Sequence, residues 1–60
     1  MKKPVIICID DEQTILSSLE RELKTFFGSD YLIETAEGGE EALELLEELL
    51  EERYEVPLVI

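Results

Sequence analysis

Hydrophobic positions along this chain change rhythm several times, and each change marks an element. Val5-Ile6-Ile7-Cys8-Ile9 are apolar without a break and run into three acids, Asp10-Asp11-Glu12. The run is too short for an ordinary helix and is rich in β-branched residues. It predicts a strand buried on both faces, as in a parallel sheet. Pro4 before it can open a strand but cannot donate to its ladder. From Glu12 or Gln13 to Phe27 the period becomes helical. Ile15, Leu16, Leu19, Leu23, Phe26 and Phe27 fall within about 120° of one another, and the polar residues are mostly left for the other side. Acids before the start and Lys24 near the end suit the helix dipole. Gly28 is expected just past the helix, turned left-handed.

Tyr31 to Ala36 carries β-branched or aromatic residues at alternate positions, Tyr31, Ile33 and Thr35, and predicts a second strand. Glu34 inside it points to a sheet edge, where one side reaches water. Glu37-Gly38-Gly39-Glu40 breaks the pattern. A second helix is expected from about Glu40 to Arg53 or Tyr54, with Ala42, Leu43, Leu45, Leu46, Leu49 and Leu50 spanning roughly 160°. Its other face is nearly all Glu, with Glu40, Glu44, Glu48 and Glu52 at spacings of four, which costs a few tenths of a kcal/mol per pair. Arg53 falls on the apolar side, so the helix frays there or the side chain snorkels. Val56 to Ile60 reads as the opening of a third strand. The order β-α-β-α-β implies a parallel sheet with right-handed crossovers, half of a doubly wound domain.

Composition narrows the classes. Sixty residues make at most one small domain, which buries only roughly 60% of its unfolded surface. The net charge is −11. Residues 1–30 carry four Lys/Arg against six Asp/Glu, and residues 31–60 one Arg against ten Glu. Such a balance argues against nucleic acid or anionic lipid as a partner. Cys8 is the single cysteine, and its place in the apolar run makes it an inert core thiol. A lone Cys without a signal peptide fits a cytoplasmic setting. No stretch is long enough to cross a bilayer.

The candidate chemistry lies at Asp10-Asp11. Ligands of open α/β sheets bind beyond the carboxyl ends of the strands. Adjacent carboxylates there repel, and a hard cation such as magnesium relieves the repulsion. The competing structural reading is an acid-rich helix N-terminus, and the local pattern does not separate the two.

Three segments together resemble the first half of a response-regulator receiver domain, the CheY-like phosphoacceptor module of two-component signalling. They are Val5-Ile6-Ile7-Cys8-Ile9-Asp10-Asp11-Glu12, Thr35-Ala36-Glu37-Gly38-Gly39-Glu40-Glu41-Ala42-Leu43, and Pro57-Leu58-Val59-Ile60. The resemblance implies an α/β, flavodoxin-like doubly wound parallel sheet, with residues 1–60 as its N-terminal half. It implies a second strand at the edge, a central first strand and a third strand beyond it. It places metal binding on Asp10 and Asp11, with Asp11 the direct Mg²⁺ ligand and Asp10 acting mainly through water on the metal. Glu12 receives no ligand role. The phosphorylated Asp would come about two residues after Ile60, so the chain is expected to be truncated before its phosphoacceptor and inactive alone. The expected partners are a histidine kinase or phosphotransfer protein and an output domain of unknown kind. The fragment itself could form a dimer or a swapped assembly. The module is a signalling phosphoacceptor rather than an enzyme, although the parent could catalyse its own phosphorylation and dephosphorylation. The second helix is about one turn longer than in compact members.

Two other classes remain. An apolar strand ending in Asp-Asp-Glu also resembles the Walker B strand of an ATPase. That reading requires a Gly-rich phosphate loop with Lys-Ser/Thr, and none is present. Leu43, Leu46 and Leu50 have the spacing of a short coiled-coil seam, which would suit a non-enzymatic interaction module. Heptads sustained over three or more repeats are absent, which favours packing on a sheet.

Overall fold

A computed structural model describes residues 2–60. The elements are β1 (Val5–Ile9), α1 (Gln13–Phe27), β2 (Leu32–Ala36), α2 (Gly39–Glu51) and β3 (Leu58–Val59). The three strands form a parallel sheet in the order β2-β1-β3. The continuously apolar strand is therefore the central one, and the strand carrying Glu34 is an edge. The register pairs Val5 with Leu32 through Ile9 with Ala36, and Ile6 with Leu58. Among the described residues no helix is long and apolar enough to cross a membrane.

Alternation along β1 divides the core into two layers, because successive side chains of a strand leave opposite faces. Ile6 and Cys8 meet Leu16 and Ile33 under α1, joined by Leu19, Leu23 and Tyr31. Val5 and Ile7 meet Leu49 on the other face, joined by Leu45, Leu46, Tyr54 and Val56. The helices thus cover opposite sides of the sheet, and β1 is buried between them. Val5, Ile7 and Cys8 are fully buried. Burial pushes the Cys8 thiol up, and the charge of Glu20 adds to the shift. This is the inert core cysteine that its position implies.

Several local expectations change. The apolar arc of α1 is wider than the sheet beneath it. Leu16, Leu19 and Leu23 pack on the sheet, Leu16 buried, whereas Ile15 and Phe26 on the far flank remain exposed, Phe26 at 76%. Gly28 is not left-handed: it adopts φ −62°, ψ −22° and donates its N–H to the Lys24 carbonyl at 3.0 Å. Its reason is space, since a Cβ there would collide with that carbonyl oxygen. The left-handed cap stands instead at the end of α2, on Arg53, with φ 67°. Arg53 N–H reaches the Leu50 carbonyl at 3.0 Å and Tyr54 N–H the Leu49 carbonyl at 2.9 Å. This pair of bonds is the Schellman closure, and Tyr54 packing in the Leu49 layer supplies its usual apolar contact. The helix stops at Glu51, short of Arg53, so the place of Arg53 on the apolar side reflects neither fraying nor snorkelling. β3 is shorter than its apolar run suggests. Val56 packs in the core and Pro57 offers no N–H, so ladder pairing begins at Leu58.

Candidate functional site

The acidic pair sits where the central strand ends. Asp10 prolongs the ladder by one bond, its N–H reaching the Ala36 carbonyl at 3.2 Å. Beyond it the chain bends at Asp11 and enters α1 at Gln13. The neighbours of β1 lead away in opposite directions, β2 on one side and β3 on the other. Asp10 and Asp11 therefore mark the point where the strand order reverses, the position at which open α/β sheets form a crevice.

The two side chains differ in their commitments. Asp10 is half-buried, and its Oδ1 accepts the Glu12 N–H at 2.8 Å. This turn steers the chain from strand to helix. Asp11 is exposed. Glu12 occupies the N-cap of α1 without a side-chain cap bond, while its carbonyl accepts the Leu16 N–H at 3.0 Å. The acid-rich helix-start reading is thus met only in part, because Asp10 organises the turn and no acid caps the helix. The ion pair present among the described residues, Lys24 with Glu20 at 3.5 Å, lies along α1 and away from this end. Among the described residues no ion pair engages the acids where β1 ends.

A second turn borders the first. Gly38 is the N-cap of α2. Glu41, three residues on, turns its Oε2 back to the Glu37 N–H at 3.1 Å. The reach resembles a capping box displaced by one residue. The signal for it was Glu at the third position after the glycine turn, inside the segment Thr35 to Leu43. This bond engages Glu41 in shaping the loop.

Magnesium is the cation that the resemblance implies. The donor set suits it as part of a site: two hard carboxylates, one of them exposed, at a strand end and in no ion pair among the described residues. Among the described residues no group of three or more His, Cys, Asp or Glu side chains is assembled to hold a metal. The pair alone supplies one side of a coordination shell. Asp11 would ligate directly. Asp10 would support it while its Oδ1 holds the turn. No family model matches the chain, and neither the curated proteins nor the solved structures contain a match to it.

Proposed function

We propose that residues 1–60 are the N-terminal half of a flavodoxin-like receiver module, which accepts a phosphoryl group on an Asp that follows the third strand. The single observation that carries the reading is the place of Asp10-Asp11. They stand at the carboxyl end of the central strand, at the reversal of strand order, and among the described residues neither joins an ion pair. A carboxylate at the end of the adjacent third strand would face them across that crevice.

The chemical division of labour follows. Magnesium, when bound, offsets charge on the phosphoryl group and orients it. Asp11 is poised to bind the cation. Asp10 fixes the strand-to-helix turn and keeps a second carboxylate at the same strand end. Neither is the nucleophile. The donor would be the phosphohistidine of a histidine kinase or phosphotransfer protein, and the acceptor would become an acyl phosphate.

The test uses the product encoded by the gene together with any residues following Ile60. Incubation with a small acyl-phosphate donor and Mg²⁺ should give a phosphate adduct by intact-protein mass spectrometry. The adduct should map to an Asp within about three positions after Ile60, where a third carboxylate would complete the shell. It should disappear with chelator and in the Asp10→Ala/Asp11→Ala variant. A basic or apolar continuation without an acid would remove the acceptor and overturn the reading.

A further inference from the structure

The loop between β2 and α2 borders the acidic pair and gets no support from packing at its two glycines. A Cβ at Gly38 or Gly39 would meet no atom beyond its chain neighbours within 4 Å. Gly38 is also the N-cap of α2, without a side-chain cap bond. Glycine leaves such a backbone free to move. A bond from the helix holds it instead. Glu41 Oε2 accepts the Glu37 N–H at 3.1 Å. That N–H belongs to the peptide group between Ala36 and Glu37, whose other end is the Ala36 carbonyl. The same carbonyl accepts the Asp10 N–H at 3.2 Å. A peptide group is planar and rigid, so a single plate carries both bonds. Glu41 grips it at the nitrogen, and Asp10 is attached at its oxygen. Asp10 in turn takes the Glu12 N–H on Oδ1 at 2.8 Å. The series runs unbroken from a carboxylate on α2, through the end of β2, to the turn that Asp10 closes.

We infer that Glu41 is a positioning residue for the acidic pair, an inference that rests on reading Asp10-Asp11 as a cation site. Its carboxylate fixes the Ala36–Glu37 peptide plane and, through it, the backbone of Asp10. Glu41 is the third residue of α2, beside Ala42, which is buried. Its Cα is thereby anchored where the loop is not. An ionised acceptor makes its bond roughly twice as strong as a neutral one. Hydrogen bonds in series also polarise one another. The Glu41 charge therefore makes the Ala36 oxygen a better acceptor for the Asp10 N–H. At 3.2 Å that bond stands at the long end of its range, so it is the link most sensitive to its acceptor. Among the described residues no third acid joins the pair in a metal-holding group. Glu41 thus acts on the pair through the backbone and not as a third ligand.

Two substitutions separate the bond from the charge. Glu41→Ala removes both. Glu41→Gln removes the charge but keeps an amide oxygen able to accept the Glu37 N–H. Glu41 is exposed, and Ala and Gln are both good helix formers, so α2 is kept. The protein used is the gene product together with any residues following Ile60, and two readouts are taken. The first is hydrogen exchange without metal. The Glu37 and Asp10 amides should exchange at least roughly threefold faster in Glu41→Ala, with the rate restored in Glu41→Gln and the mid-strand Cys8 amide unchanged. The second is calorimetric titration with Mg²⁺. Glu41→Ala should raise Kd about three- to tenfold, less than the 10–100-fold typical of losing a group bonded directly to a ligand side chain. Glu41→Gln should restore most of the affinity.

Should Glu41→Ala leave either the Asp10 amide or the Mg²⁺ affinity unmoved, the inference is overturned while the proposed function stands. Equal weakening by both substitutions also overturns it, because Glu41 would then act by its charge or as a ligand. An unsubstituted protein that binds no Mg²⁺ removes the proposed function, and the inference falls with it.

Discussion

Arg53 offers the sharpest stability test, because its backbone and its side chain make opposite demands. The backbone is left-handed, with φ 67°, and both Schellman bonds depend on it. The side chain is exposed and joins no ion pair among the described residues. A left-handed conformation costs a residue with a Cβ roughly 1–2 kcal/mol. Glycine escapes that cost but loses about 0.5–1 kcal/mol through the greater freedom of its unfolded chain. Arg53→Gly should therefore stabilise the fold by roughly 0.5–1 kcal/mol. At this size that raises Tm by about 4–8 °C. Arg53→Ala is the control, since it deletes the guanidinium and retains the strained backbone. Thermal and urea melts followed by circular dichroism, with all samples at one concentration, give the comparison. The reasoning fails if Arg53→Gly melts at or below the Arg53→Ala variant.

Other outcomes follow from the core. Ile7 is fully buried between β1 and α2, so Ile7→Ala should cost about 2–5 kcal/mol and unfold much of the population, given a total near 3–9 kcal/mol for a chain this size. Leu43→Ala, at an exposed position, should stay within about 0.5 kcal/mol in monomeric conditions. Gly28→Ala should destabilise by roughly 1–3 kcal/mol through its clash with the Lys24 carbonyl, read as a lower urea midpoint at unchanged slope. A finding that it stabilises would contradict the close approach. Cys8 should resist alkylation until the chain unfolds. Because its folded pKa is raised, the native state keeps a proton that the unfolded chain sheds. Stability should then fall as pH climbs through and above the ordinary thiol range, and Cys8→Ala should flatten that decline.

The period of the apolar positions made most of the architecture legible. The unbroken run Val5–Ile9 announced a strand covered on both sides, and β1 is the central strand. Glu34 announced an edge, and β2 is one. The helix boundaries near Gln13 and Phe27 follow from the change of period and match α1. The termini were less legible because backbone energetics decide them. Glycine was expected to carry the left-handed cap, yet Gly28 is right-handed and Arg53 is not. Tertiary packing of Tyr54 on Leu49 outweighs the local preference at that point. The exposure of Ile15 and Phe26 was hidden for a similar reason, since a helical wheel shows which side is apolar and not how much sheet lies under it. At the candidate site the sequence located Asp10-Asp11 at the end of the strand. It did not reveal that Asp10 closes a turn on Glu12, because a carboxylate that organises a turn and one that waits for a cation look alike in a string of letters.

On the proposed reading, Asp10 and Asp11 grip a divalent cation for phosphoryl chemistry. Isothermal titration with Mg²⁺, with and without a fluoride-based phosphoryl mimic, on the gene product together with any residues encoded after Ile60, is the decisive measurement. Saturable binding is expected, tightened by the mimic and abolished when both aspartates become alanine. Equal binding by the doubly substituted protein would contradict the claim.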